Sequence, residues 1–193
     1  MMDSVEAYEL KAAEFLHVRD RSTIGTTVVA QWGCNLQEGA NVLELGCGGG
    51  YPITRVLHKM GLQLNVIESS LTLVSVFRSR FPDIPVQCAK VQESRFFDQS
   101  YDGVIAIGLL FLLSEPEQLA VINRVAKVLH PGGRFLFTSP KEKGSWIDVN
   151  TNAVCRSLGQ ATYEGHLRVA GFRLLDTRID SGENNYYDVE LIG

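Results

Sequence analysis

Short apolar runs rich in Val, Ile and Leu alternate along the chain with stretches whose apolar residues recur at helical spacing, the pattern of a parallel sheet covered by helices. The runs predict strands over Asn41–Leu45, Leu64–Glu68, Val86–Ala89, Tyr101–Ile107, Gly133–Ser139, Phe172–Ile179 and Tyr186–Leu191. Several are almost wholly apolar, as strands buried on both faces are. Punctuation places the helices. Pro52 opens a segment in which Ile53, Val56, Leu57 and Met60 share a face, and Gly61 follows where a left-handed C-cap is wanted. Ser114 and Glu117 form an S-x-x-E capping box ahead of Leu119, Ile122, Val125, Ala126 and Leu129, and that run stops at His130-Pro131-Gly132-Gly133. Ser69 or Ser70 caps a third helix bearing Leu71, Val74 and Phe77. It ends near Phe81-Pro82, because the proline ring disfavours helical geometry at the residue before it.

Ahead of the first strand, Val5 to His17 and Gly25 to Trp32 read as amphipathic helices, so residues 1–38 form a lid or flank. Pro140 to Gly159 has mixed polarity and no clear period; it reads as an irregular loop or a loop with a short helix, within a variable acceptor-side segment over 140–165. No repeat or linker divides the 193 residues, which read as one domain.

Composition narrows the function. A formal charge of −4 disfavours broad binding to a phosphate backbone, which needs clustered Lys and Arg, so a nucleic-acid substrate is not expected. No apolar run approaches membrane-spanning length, and MMDSVEAYEL lacks the features of a signal peptide, so the expectation is a cytoplasmic protein. Cys34, Cys47, Cys88 and Cys155 form no C-x-x-C pair. His17, His58, His130 and His166 include no i, i+4 pair, so no metal site is expected.

The chemistry concentrates in Val42-Leu43-Glu44-Leu45-Gly46-Cys47-Gly48-Gly49-Gly50, a buried strand that carries an acidic residue and turns through glycines toward a helix. Glycine lets the chain turn sharply and lets a ligand touch its backbone. One helix later, 22 residues beyond Gly46, Glu68 ends the next strand, where a carboxylate accepts hydrogen bonds from both ribose hydroxyls. Together they predict an adenosine-type ligand on a Rossmann-like sheet. The dinucleotide fingerprint G-x-G-x-x-G needs glycine where Tyr51 stands, or where Ile53 stands in the shifted register. Glu44 beside the turn repels phosphate and suits a cationic amino-acid portion. S-adenosylmethionine (SAM) therefore fits better than NAD.

VLELGCGGG, VIES, FFDQSYDGVIAIG and VLHPGGRFLFTSP occur in the order seen in class I SAM-dependent methyltransferases, and the chain resembles that family over about Asn41 to Ser139. Ala170-Gly171-Phe172 and the run from Gly182 to Tyr187 resemble its last strand pair. The resemblance implies an α/β, doubly wound, seven-stranded, mostly parallel sheet with an antiparallel last strand. It implies SAM as cofactor and S-adenosylhomocysteine as product. By position, Gly46, Cys47 and Gly48 line the methionine and sugar, Glu68 holds the ribose and Ser69 lies beside the adenine. Ile107 and Gly108 pass under the sulfonium, and Leu109 to Phe111 form a wall. The family's adenine-binding Asp falls at Lys90, which has no acceptor, so adenine recognition passes to the backbone around Val91 or to Gln92.

Methyl transfer from a sulfonium is driven largely by holding donor and acceptor in line, so no dedicated base is required. The sequence lacks the Asp/Asn-Pro-Pro-aromatic and Pro-Cys motifs of nucleic-acid methylation, which leaves a small-molecule acceptor with nitrogen, oxygen, sulfur and soft metalloid centres all open. Arg21 is a candidate partner for the SAM carboxylate. Tyr8, Trp146, Asp148, Tyr163, Tyr186 and Tyr187 lie in segments that surround an acceptor, Trp146 being favoured. Asp102 reads as a structural turn residue and Cys47 as a buried filler. The competing class is a SAM-binding protein of this fold that acts through a protein partner without turnover.

Overall fold

The computed structural model describes residues 4–148 and 152–193. Its centre is a seven-stranded sheet built from β1 (Asn41–Leu45), β2 (Gln63–Glu68), β3 (Val86–Cys88), β4 (Tyr101–Ala106), β5 (Leu129–Thr138), β8 (Phe172–Ile179) and β9 (Asn185–Leu191), in the order β3-β2-β1-β4-β5-β9-β8. The first five are mutually parallel, and β9 runs antiparallel to both β5 and β8. The order reverses between β1 and β4, where the helices leaving their carboxyl ends diverge and open a crevice for a ligand.

The side-chain period of two sends successive residues of β1 to opposite faces. Leu43 and Leu45 enter one core with Val121, Ile122 and Val125 of α6 (Glu115–Val128) and with Tyr163 and Leu167 of α7 (Gln160–Val169). Val42 enters the other core with Val28, Val29 and Trp32 of α3 (Thr26–Gly33), Ile53 and Leu57 of α4 (Ile53–Lys59) and Phe77 of α5 (Leu71–Arg80). Helix starts follow the expected chemistry. The Ser70 hydroxyl accepts from the Leu73 N–H at the head of α5, and Ser114 with Glu117 closes the capping box of α6.

The structure departs from the sequence reading in three places. The expected helix over Val5–His17 is two helices, α1 (Ser4–Leu10) and α2 (Ala12–Arg19), because Lys11 leaves helical geometry at φ −106° and ψ 11°. The segment expected to be irregular contains a separate antiparallel hairpin, β6 (Lys143–Ile147) with β7 (Val154–Leu158). Every residue of β6 is exposed, so no alternation marks it. Finally, α7 went unplaced, although Tyr163 and Leu167 stand one helical turn apart and are both buried. The tip of the 140–165 segment at 149–151 lies outside the described residues.

Candidate functional site

Glu68 ends β2 beside the glycine turn that follows β1. One carboxylate oxygen accepts the Gly48 N–H at 2.8 Å, and the other accepts the N–H groups of Ser69 at 2.8 Å and Ser70 at 2.9 Å. The side chain is buried and desolvation raises its pKa, against the pull of those three N–H groups. A carboxylate offers about four lone-pair sites, so this one retains capacity for a donor from the cavity.

The turn depends on glycine at two positions. Gly46 has φ +72°, in the left-handed region, and its missing side chain leaves room beside Leu109. Gly48, at φ +58°, lies against Phe15 of α2, which a Cβ would meet at 2.9 Å. Glu44, on the α3–α4 face of β1, accepts from the Thr54 hydroxyl at 2.7 Å. Complete burial pushes its carboxyl up to about 8, with the Thr54 hydrogen bond and the charge of Arg19 acting in the opposite sense. Burial also drives the Cys47 thiol well above its ordinary value, leaving it an unreactive filler.

One cavity collects Glu44, Gly46, Cys47, Gly48, Glu68, Ser69, Val91, Gln92, Ile107 and Gly108, with Lys90 at the same edge. Arg21 does not reach it: the residue is exposed beyond the end of α2 and contacts His17 at 3.2 Å. Arg19 lines the cavity instead, and desolvation lowers its pKa despite the nearby Tyr186, Tyr8 and Glu44. The Arg19 guanidinium makes no hydrogen bond among the described residues. The readable trace was its spacing: Tyr8, Phe15 and Arg19 recur at i, i+7 and i+11 on one face of the flank, and all three line the cavity.

Of the other candidates, Tyr8, Asp148 and Tyr186 line this cavity, and Trp146 lines an adjoining cleft that shares Phe111, Thr138, Asp148 and Asn184 with it. Leu109 and Phe111 form the expected wall, whereas Leu110 turns into the core. Tyr163 and Tyr187 are core residues; the Tyr163 hydroxyl bonds Ser139 at 2.8 Å and Gln118 at 2.6 Å. Asp102 is structural, accepting the Asn41 N–H at 2.8 Å and so fixing the start of β1. Thr138, Ile24 and Asn184 also line the cavity and were not anticipated.

The sheet order, with a cavity at its switch point and the buried Glu68 carboxylate in its wall, defines a Rossmann-like α/β protein. Residues 42–133 match the family described as a methyltransferase domain. A ubiquinone biosynthesis O-methyltransferase of Xanthomonas campestris pv. campestris is 33% identical over 106 residues, covering 52% of this chain and 43% of that protein. The methyltransferase GfsG of Streptomyces halstedii is 27% identical over 126 residues, covering 62% of this chain and 45% of that protein. The chain thus spans about half the length of these curated relatives. Among solved structures, the 1,6-didemethyltoxoflavin-N1-methyltransferase of Burkholderia thailandensis, with its acceptor and S-adenosylhomocysteine bound, superposes with a TM-score of 0.75. It is 16% identical, over 100% of this chain and 92% of that one. The fold is the Rossmann-like one of class I methyltransferases, and residues 42–133 carry the match to the methyltransferase-domain family. No helix among the described residues is long and apolar enough to cross a membrane.

Proposed function

We propose that this chain transfers a methyl group from SAM to a small-molecule acceptor by in-line displacement. The carrying observation is the continuous space at the carboxyl edge of the sheet: a donor cavity gathered around Glu68 and the glycine turn opens, past Phe111 and Thr138, into a cleft walled by Trp146. The residues present suit the donor. Glu68 has lone pairs for ribose hydroxyls, Glu44 an acidic group for the amino function, and Arg19 a hydrogen-bonding fork for the carboxylate. Lys90 stands where the adenine amino group needs an acceptor, so the Gln92 amide or the Val91 backbone takes that role. Bound SAM supplies an electrophilic methyl group already activated by its sulfonium charge. The protein's part is orientation and exclusion of water, with Ile107 and Gly108 as floor, Leu109 and Phe111 as wall and the α1–α2 flank as cover. The net charge of −4 favours a small acceptor over a nucleic acid.

Thermal melting with S-adenosylhomocysteine tests the reading. At about 100 times its dissociation constant the ligand adds about 2.7 kcal/mol, a rise of roughly 5 to 10 °C for a chain of this size. Glu68→Ala should remove about 1.5 to 3 kcal/mol of that affinity. No shift at saturating ligand, with the fold intact, overturns the proposal.

A further inference from the structure

The cleft beside the donor cavity has a chemistry of its own. Its ledge is the Phe111 and Trp146 pair, with ring centroids 5.5 Å apart and planes at 48°, and Ile147 and Ile179 extend the apolar surface. Both isoleucines are exposed and Trp146 is 36% exposed, which leaves a flat apolar face open to solvent. Around that face stand three carboxylates, Glu142, Asp148 and Glu183, against the single cation of Lys141. Glu142 and Glu183 have no ion-pair partner among the described residues.

The hydrogen-bonding inventory leans the same way. Asn185 lines the cleft at 6% exposure. Its amide N–H is spent on the Ser139 carbonyl at 3.1 Å, and its carbonyl oxygen has no partner among the described residues. A buried acceptor left unpaired is costly, and a donor group on a ligand relieves it. An unpaired buried acceptor thus stands beside an aromatic ledge around which negative charge outnumbers positive. An anionic ligand meets repulsion there; a cation meets opposite charge and the faces of two aromatic rings.

We propose that the acceptor is an arylalkyl amine, its aromatic ring lying on Phe111 and Trp146 and its ammonium directed to Asp148 at the junction of the cleft and the donor cavity. This rests on the methyl-transfer reading above. Asp148 lines both spaces, as do Phe111, Thr138 and Asn184, so a group held there faces the donor. The ammonium first gives a proton to the Asp148 carboxylate, and the freed nitrogen lone pair then forms the new N–C bond as the S–C bond breaks and its electrons stay on sulfur. The proton passes from Asp148 on to water. Tyr8, whose hydroxyl is kept protonated by burial and by the charge of Asp148, closes the junction from α1 as a neutral donor.

The test is calorimetric titration of the protein saturated with S-adenosylhomocysteine, using tryptamine and indole-3-propionate, which share a ring and differ in charge. Tryptamine should bind at least ten-fold more tightly. Asp148→Asn, which keeps the shape and removes the charge, should cut tryptamine affinity at least five-fold and leave indole-3-propionate unchanged or improved. Trp146→Ala, at an exposed strand position, should weaken both. Should Asp148→Asn fail to fold, the exposed pair Glu142→Gln and Glu183→Gln carries the charge test, with at least a three-fold loss for tryptamine alone. Equal binding, tighter binding of the carboxylate, no binding of tryptamine, or a preference unaltered in the charge variants overturns the proposal. The titration is run only after the homocysteine adduct binds, so failure of the donor reading and failure of the amine reading give different results.

Discussion

Glu44 is a carboxylic acid 3% exposed in the wall of the cavity, held on a central strand by one hydroxyl donor. Its pKa in the folded protein is about 8, against an ordinary value of 4.5. Between those values the folded state keeps a proton that the unfolded chain releases, so the contribution of Glu44 to the stability of the empty protein is full below about 4.5 and is lost as pH rises toward 8. Glu68 is shifted in the same direction. Glu44→Gln copies the protonated form, keeps the Thr54 hydrogen bond and abolishes the titration. Melts of the empty protein should show the variant level with wild type near pH 5 and higher by about 5 °C or more near pH 8. The homocysteine adduct reverses the sense, because its ammonium stabilises the ionised carboxylate: wild-type affinity should rise from pH 6 to 8 while that of the variant stays flat. Parallel profiles for the two proteins would remove Glu44 from the cavity's electrostatics. The carboxylates and glycines were legible because each is tied to a turn of fixed geometry. Arg19 was not, because choosing it over Arg21 requires the end of α2 and its facing, which the backbone decides.

Between β3 and β4 the chain forms one edge of the cavity, at Lys90, Val91 and Gln92, and α6 holds it in place. The Arg124 guanidinium donates to the carbonyls of Val91 at 2.7 Å and Gln92 at 3.0 Å and to that of Ser94, and it lies 4.3 Å from the Phe96 ring centre. Glu117 of the capping box also receives the Gln92 amide at 2.9 Å, so the start of α6 and the cavity edge share a residue. Three successive non-glycine residues here, Phe96, Phe97 and Asp98, have φ of 52°, 58° and 52°. Each left-handed residue costs roughly 1 kcal/mol or more, which the Tyr101 hydroxyl on the Phe96 carbonyl and the Ser94 hydroxyl beneath the Phe96 N–H help to offset. Arg124→Met should lower stability by about 2 to 3 kcal/mol, weaken binding of the homocysteine adduct several-fold and speed amide exchange over 91–98 more than elsewhere. Uniform exchange would show that α6 does not hold this edge. Nothing in Phe-Phe-Asp announces a left-handed turn, and Arg124 reads as a surface residue of an amphipathic helix. The strands and α6 were readable because periodicity and caps are local; this brace was not, because its partners are about 30 residues apart. The β6–β7 hairpin escaped for a related reason, since an exposed strand carries no pattern to read.

Across the whole molecule, α1 and α2 sit outside both hydrophobic cores: neither core cluster contains a residue of either helix. Besides the burial of Ala7 and Ala12 and the packing of Phe15 and Leu16 on the glycine turn, they are held by polar contacts at the two ends of α5. Glu9 accepts from the hydroxyls of Ser70 and Thr72 and from the Thr72 N–H, on the positive end of the α5 dipole. At the far end Asp20 grips Arg80 in a two-pronged pair at 2.8 and 2.6 Å, and the same guanidinium donates to the Gly49 carbonyl at 3.0 Å. A flank attached this way is released at small cost, since half-exposed pairs contribute about 1 kcal/mol or less. Tyr8, Phe15 and Arg19 leave the cavity when it goes. The double variant Glu9→Ala with Asp20→Ala should therefore melt within about 3 °C of wild type when empty, yet release the homocysteine adduct about ten-fold faster in stopped flow. Release at the wild-type rate would mean the ligand leaves by another path. A collapse of the empty protein's melting temperature would mean the flank is part of the fold, and that the sheet and its two cores cannot stand without it.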